Sequence, residues 1–169
     1  MAMALSLNNA SEVRDLYLYD TYSGMSKPRA IDISCYGEVA SQTFRQKQTA
    51  EESSEWCLSG LEEVKRNLFS TGYPKDKLYF VKGMVEKTIP ECVPSKIALL
   101  RLDTDWYQST KHELVHLYPL LAPHGILIVD DYGYWRGAKK AVDEYLLENN
   151  IKILMNRIDS SGRLAIKLC

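Results

Sequence analysis

Apolar residues recur along this chain in two rhythms. Short alternating or continuously apolar runs at VRDLYLYD (13–20), KLYFVKG (77–83), KIALLRLD (96–103) and ILIVDD (126–131) each predict a β-strand. The last is apolar at nearly every position, the pattern of a strand covered on both faces. Cys57, Leu61, Val64 and Leu68 fall at helical spacing, which predicts an amphipathic helix over residues 51–71 closed by Gly72. Residues 109–121, ended by Pro123 and Gly125, and residues 136–149 predict two more helices. IKILMNRID and RLAIKL, joined by Ser160, Ser161 and Gly162, predict a closing antiparallel hairpin. Residues 1–10 predict a short helix stopped by Asn8 and Asn9. Residues 21–50, with Gly24, Pro28 and Gly37, keep neither rhythm and predict a long loop or lid.

Strands alternating with helices predict an α/β fold with a mostly parallel, doubly wound sheet that ends in an antiparallel hairpin. With no repeat and no low-complexity tract, the 169 residues predict a single domain over 1–169. Ligands of such sheets sit beyond the carboxyl ends of the strands. Asp20, Gly83, Asp103 and the pair Asp130 and Asp131 all stand at predicted strand ends, so four strands direct polar endings to one rim.

Composition narrows the partners. With 21 basic and 22 acidic side chains and a net charge of −1, the chain lacks the basic excess of a nucleic-acid binder and has no pull toward an anionic membrane. Cys35, Cys57, Cys92 and Cys169 form no CxxC pair, which argues against structural zinc and a dense disulfide framework and for free thiols in a reducing cytosol. The N-terminus lacks the basic region of a signal peptide, and no apolar run approaches the roughly 18 residues of a membrane helix. These features predict a soluble, cytoplasmic protein and leave homo-oligomer formation open.

The acidic rim carries the candidate chemistry. Asp103 ends one predicted strand and Asp130 and Asp131 end the next, so the three converge on one point. Three unpaired carboxylates repel, and a hard divalent cation with oxygen ligands, Mg²⁺ above all, relieves that repulsion. A single aspartate there reads equally as a helix cap or as a partner of Arg101 or Arg136; DTD and DD on consecutive strands favour the metal. Asp105 lies two residues beyond Asp103, in the loop, where a carboxylate beside a metal-bound hydroxyl is placed to act as general base. Asp20 suggests a ribose contact, as acidic strand ends do in dinucleotide-type folds. His112, Glu113 and His116 match HExxH, the zinc-protease signature, but they sit where a scaffold helix is expected.

LLRLDTDWYQSTKHELVHLYPLLAPHGILIVDDYGYWRGAKKAVDEY (99–145) resembles the macrocin O-methyltransferase family in D-x-D-x-Y-x-S-T, in a helix ending L-x-P-x-G, in an apolar strand running into DDY and in KAVDEY. LYLYDTYSGM, VKGMVEKTIP and the terminal hairpin extend the resemblance more weakly. It implies a Rossmann-like class I methyltransferase sheet and S-adenosylmethionine- and Mg²⁺-dependent methylation of a hydroxyl on a sugar or related small molecule. It implies Asp103, Asp130 and Asp131 as metal ligands, Asp105 as general base, Asp20 with Thr21 at the cofactor ribose, and Gly83 in the turn near the adenine. Trp106, Tyr132 and Trp135 then surround the rim, either stacking on the acceptor or packing beneath it. The HELVH helix becomes scaffold.

The family's first strand and its glycine-rich turn have no counterpart here, and none of the nine glycines forms GxG. That strand is central in the family's sheet, between the strands ending at Asp20 and Asp103. The expectation is therefore a chain truncated at its N-terminus relative to the family, or two strands that pair directly. Two other readings remain: a cofactor-deficient fragment or pseudoenzyme that keeps a metal or ligand site, and a DxD glycosyltransferase, which does not require the DD.

Overall fold

The structure is a computed structural model that describes residues 13–168; the helix expected over 1–10 and Cys169 lie outside the described residues. The first half of the chain forms β1 (Leu16–Asp20), α1 (Ala40–Lys47), the short strands β2 (Gln48–Ala50) and β3 (Ser53–Ser54), α2 (Leu61–Phe69), β4 (Leu78–Lys82) and the single turn α3 (Val85–Thr88). The second half forms β5 (Ile97–Leu102), α4 (Tyr107–Leu117), β6 (Leu121–Val129), α5 (Arg136–Glu148), β7 (Asn156–Arg157) and β8 (Arg163–Ile166).

The strands make separate sheets. β1 and β4 pair in parallel, from Leu16 against Leu78 to Asp20 against Lys82. β5 and β6 are parallel, and β8 runs antiparallel to both β6 and β7, giving the order β5-β6-β8-β7. Among the described residues no hydrogen-bonded ladder joins β1 to β5, so the strands ending at Asp20 and Asp103 do not pair directly.

Several expected boundaries moved, and the first arm of the closing hairpin, expected over 151–159, is a strand only at Asn156–Arg157. The helix expected over 51–71 starts at Leu61, because Cys57 adopts a left-handed φ of +52° and the preceding segment is tied to the lid, with Met25 N–H donating to the Trp56 carbonyl at 2.9 Å and Ser54 Oγ to that of Met25 at 3.0 Å. Residues 40–47, expected as loop, form α1, whose buried Ala40 and Phe44 are spaced for one helix face. β6 begins at Leu121 and runs through Pro123 and Gly125, the residues expected to precede it. The pairing with β5 shifts register between Ile97 and Leu99, so the donor-less Pro123 falls where the ladder is irregular.

The core lies on one face of the larger sheet. Leu100 and Leu102, Leu127 and Val129, and Ala165 point the same way and pack with Leu114 and Leu117 of α4 and Val142 and Tyr145 of α5. On the opposite face Leu99 and Ile166 remain 38% and 48% exposed, and Ile126, Ile128 and Leu164 are half-buried. The expectation that the ILIVDD strand is covered on both faces therefore holds for one face of the described residues.

Helix α4 also braces the DTD loop. Glu113 is buried and accepts from Thr104 Oγ1 at 2.8 Å, while His112 Nε2 lies 2.9 Å from the Ile89 carbonyl. Glu113 and His112 of HELVH thus each tie α4 to a neighbouring segment, Glu113 to Thr104 and His112 to Ile89. Burial pushes the Glu113 carboxyl up to about 8. Among the described residues no helix is long and apolar enough to cross a membrane.

Two outcomes follow from this packing. Leu114→Ala should cost about 2–5 kcal/mol, whereas Ile166→Ala should cost less than about 1 kcal/mol; urea midpoints at unchanged slope measure both, and equal losses would contradict a one-sided core. Glu113 ionises less readily folded than unfolded, so its contribution to stability is fully present below its unfolded value and is lost as pH rises through about 8. Glu113→Gln keeps an acceptor for Thr104 and removes the proton, so melting temperature should fall less steeply between about pH 5 and about pH 8 than in the wild type. An unchanged slope would show that Glu113 is not the buried titrating group.

Candidate active site

The carboxyl ends of β5 and β6 bring the predicted acids together. Asp130 N–H donates to the Leu102 carbonyl at 2.9 Å, which extends the parallel ladder one step and sets Asp130 beside Asp103. Asp103, Asp130 and Asp131 each place a carboxylate oxygen within 4.8 Å of the others. Arg101, the one charged residue of its strand, meets two of them: its Nη2 lies 2.9 Å from Asp103 and 3.1 Å from Asp130. Desolvation, followed by the charges of Asp105 and Asp103, pushes Asp131 up to about 8. Asp103 is raised to about 6 by desolvation and by Asp130, against the opposing pull of Arg101.

Asp105 stands beside the three, its carboxyl against that of Asp131. It sits at a left-handed φ of +65°, a costly conformation for a residue with a side chain. Its backbone N–H donates to Asp131 Oδ2 at 3.2 Å, and its Oδ1 accepts the Trp135 indole N–H at 2.8 Å. Desolvation raises its carboxyl above the ordinary range, and hydrogen bonds to it from the Trp135 indole and the Asp131 carboxyl oppose that rise. Gly133 N–H donates to the Ser161 carbonyl at 2.8 Å, and a Cβ at Gly133 would strike the Ser160 carbonyl, so the DDYG turn lies directly on the β7–β8 connection.

The expected lid is ordered around a buried aspartate. Asp32 is fully buried; its carboxylate accepts from Arg29 N–H at 2.7 Å and from Tyr107 N–H, at the start of α4, at 2.9 Å. Its carbonyl accepts from Ala40 N–H at 3.1 Å, and Gly137 packs so closely that a Cβ there would strike the carboxylate. One acid thus joins the lid, α1, α4 and α5. Ser34 bridges antiparallel to Trp135 on the same contact.

Two cavities open on this arrangement, and Asp105 lines both. The larger, about 340 Å³, is bordered by Glu38, Trp56, Asp105, Asp131, Tyr134 and Trp135. The smaller, about 90 Å³, is bordered by Asp20, Thr21, Gly83, Met84, Asp103 and Asp105. Asp20 Oδ1 accepts from Tyr22 N–H, and its carbonyl accepts from Gly83 N–H at 2.9 Å. Gly83 has φ +145°, and a Cβ there would lie 2.9 Å from Thr88 Cγ2.

All seven residues singled out from the sequence therefore lie on one rim. Of the three aromatics expected around it, Trp135 borders the larger cavity and Trp106 is buried beneath, its indole N–H donating to the Ser26 carbonyl at 2.9 Å. Tyr132 turns away to Asp143, 2.6 Å from its hydroxyl. Sequence reasoning missed Asp32, Glu38 and Trp56. Asp32 between Ile31 and Ile33 was the available signal, an acid flanked by apolar residues inside a polar loop.

Comparison with known proteins agrees with this architecture. The chain is 37% identical over 101 residues to the demethyldecarbamoylnovobiocin O-methyltransferase of Streptomyces niveus, covering 60% of this chain and 38% of that protein. It is 29% identical over 161 residues to the mycinamicin III 3''-O-methyltransferase of Micromonospora griseorubida, covering 94% of this chain and 60% of the other. The solved structure of the O-methyltransferase NovP superposes with a TM-score of 0.75 at 26% identity, over 98% of this chain and 64% of its own. The chain thus spans between 38% and 64% of the length of these relatives. The model of the macrocin O-methyltransferase (TylF) family matches residues 1–165, and the chain belongs to that family.

Proposed function

We propose that this site takes part in methyl transfer from S-adenosylmethionine to a hydroxyl of a sugar or sugar-bearing small molecule. The observation that carries the reading is Asp105, whose carboxylate borders both cavities and so lies where a methyl donor and an acceptor would meet. Two relatives named as O-methyltransferases of novobiocin- and mycinamicin-type compounds support the same chemistry.

The smaller cavity, at about 90 Å³, fits the ribose side of the cofactor and not its whole length. Asp20 and Thr21 would hold the ribose hydroxyls, and Gly83 keeps side-chain bulk out of the adjoining turn. When bound, S-adenosylmethionine supplies a methyl group activated by the sulfonium. Asp103, Asp130 and Asp131 would hold Mg²⁺: three oxygen donors within 4.8 Å suit a hard cation, and one guanidinium offsets only part of their charge. When bound, the metal orients the acceptor hydroxyl and lowers its pKa.

The chain's own residues do the rest. Trp135 fixes one oxygen of Asp105 through its indole N–H, and that carboxylate, beside the carboxyl of Asp131, would accept the hydroxyl proton. The left-handed backbone, tied to Asp131 through its N–H, sets the direction in which that side chain leaves the loop. Trp56 and Trp135 wall the acceptor side.

Mg²⁺ should raise the melting temperature of the wild type by binding the folded state alone; Asp130→Asn should lose that rise and Asp105→Asn should keep it. Methyl transfer by Asp105→Asn should fall about 10²–10⁴-fold. A wild-type rate in that variant would rule out the base, and equal metal responses in all three proteins would rule out the metal site. Calorimetric titration with S-adenosylmethionine separates an enzyme from a protein that keeps only the acidic site.

A further inference from the structure

Asp105 occupies a strained turn. It is the middle residue of three, at φ +65°, and Trp106 N–H closes the turn by donating to the Thr104 carbonyl at 2.7 Å. Three-residue turns with a positive central φ are rare and strained, and such strain persists only where the surroundings hold it in place. On the near side Thr104 is held by Glu113. On the far side the anchors come from residues 26–35 of the lid. The Trp106 indole N–H donates to the Ser26 carbonyl at 2.9 Å, and Tyr107 N–H donates to Asp32 Oδ1 at 2.9 Å. The same stretch holds Trp135, the donor to Asp105: Cys35 N–H donates to the Tyr134 carbonyl at 2.7 Å and Arg136 N–H to that of Ile33 at 2.9 Å.

Within this seam Asp32 is the charged element. Helix α4 starts at Tyr107 without a cap of its own, since the Trp106 side chain accepts nothing from the first turn. Asp32 takes that role from 75 residues away, and a carboxylate suits the positive end of a helix. Its two oxygens are used separately, Oδ1 by Tyr107 N–H and Oδ2 by Arg29 N–H. Burial raises the carboxyl, and those two amides oppose the rise. Gly137 lies so close that a Cβ there would stand 2.0 Å from Oδ1 and 3.1 Å from the Tyr107 nitrogen.

Building on the reading of Asp105 as proton acceptor, we propose that Asp32 is a positioning residue for it. The docked lid, locked through Asp32 onto the first amide of α4, holds Asp105 in its strained turn and against Trp135. A lid released at Asp32 lets that carboxylate leave its place. The acidic triad is set differently, because β5 and β6 carry it directly and Asp130 N–H continues their ladder to the Leu102 carbonyl. Asp32 therefore governs proton transfer and not metal binding.

Hydrogen exchange in the wild type reads the lock without any variant. First-turn amides of a helix have no partner within it, so a Tyr107 amide released from Asp32 would exchange rapidly. Held by Asp32, it should share the protection of the Arg29 and Ala40 amides, which the same opening exposes. Two variants then break the lock in different ways. Asp32→Asn leaves one oxygen for two amides, whereas Gly137→Ala keeps the carboxylate and drives a methyl group between it and Tyr107 N–H. Both should weaken the near-ultraviolet circular dichroism of the tryptophan cluster, in which the Trp106 and Trp135 centroids lie 5.0 Å apart, with the far-ultraviolet spectrum unchanged. Both should keep the Mg²⁺-induced rise in melting temperature. Their kcat should fall about 10²-fold while KM for S-adenosylmethionine stays at the wild-type value. Leu114→Ala, destabilised in the core, is the control and should keep both the near-ultraviolet spectrum and kcat. A freely exchanging Tyr107 amide, or lock variants that match Leu114→Ala in spectrum and kcat, overturn the proposal. Shared protection and the tryptophan change in a protein that transfers no methyl group would count against methyl transfer and leave the lock standing.

Discussion

The crowding of four aspartates at the ends of β5 and β6 is the constraint on which the rest of this structure depends. Asp103, Asp105, Asp130 and Asp131 are brought together by a parallel strand pair whose hydrogen bonds continue one step past the last apolar residue. Their mutual repulsion and partial desolvation oppose folding unless each finds a partner. Arg101 meets two of them, the Asp105 amide meets Asp131, and the Trp135 indole meets Asp105. A site assembled this way packs four carboxyl groups around one guanidinium and one indole.

The same compensation organises the lid. Its geometry follows from Asp32, a second buried acid, satisfied by backbone amides at both ends of its carboxylate. Because one of those amides begins α4 and Gly137 of α5 packs on the other side, the lid is referenced to the two helices that cover the core. The tryptophan cluster fills the space between lid and rim, so the wall of the larger cavity and the orientation of Asp105 rest on the same side chains.

The sheets tell a more uneven story. β1 and β4 share a small core of their own with Tyr73, while β5, β6 and β8 share the main one. Their carboxyl ends nevertheless border one cavity, in which Asp20 and Gly83 from the first sheet meet Asp103 from the second. Tyr19 makes part of that link: it packs against the main core, and its hydroxyl donates to the Cys92 carbonyl at 2.8 Å.

By itself the sequence determined the positions of β1, β4, β5 and β8, the α/β class and the convergence of Asp20, Gly83, Asp103, Asp130 and Asp131 on one rim. Each of these follows from local apolar rhythm and from the rule that strands of one direction end on one side. Boundaries at Leu61 and Leu121 escaped it, because Cys57 takes a left-handed turn and β6 reaches back to pair Leu121 with Ile97 ahead of an irregular stretch that holds Pro123. Only the tertiary structure decided the wall of the larger cavity and the setting of Asp105. Glu38 and Trp56 come from a segment with no rhythm, and the bond from Trp135 to Asp105 crosses thirty residues of chain. A hydrogen bond between side chains so far apart is chosen by how the intervening helix packs, and no local pattern of polar and apolar residues encodes that choice.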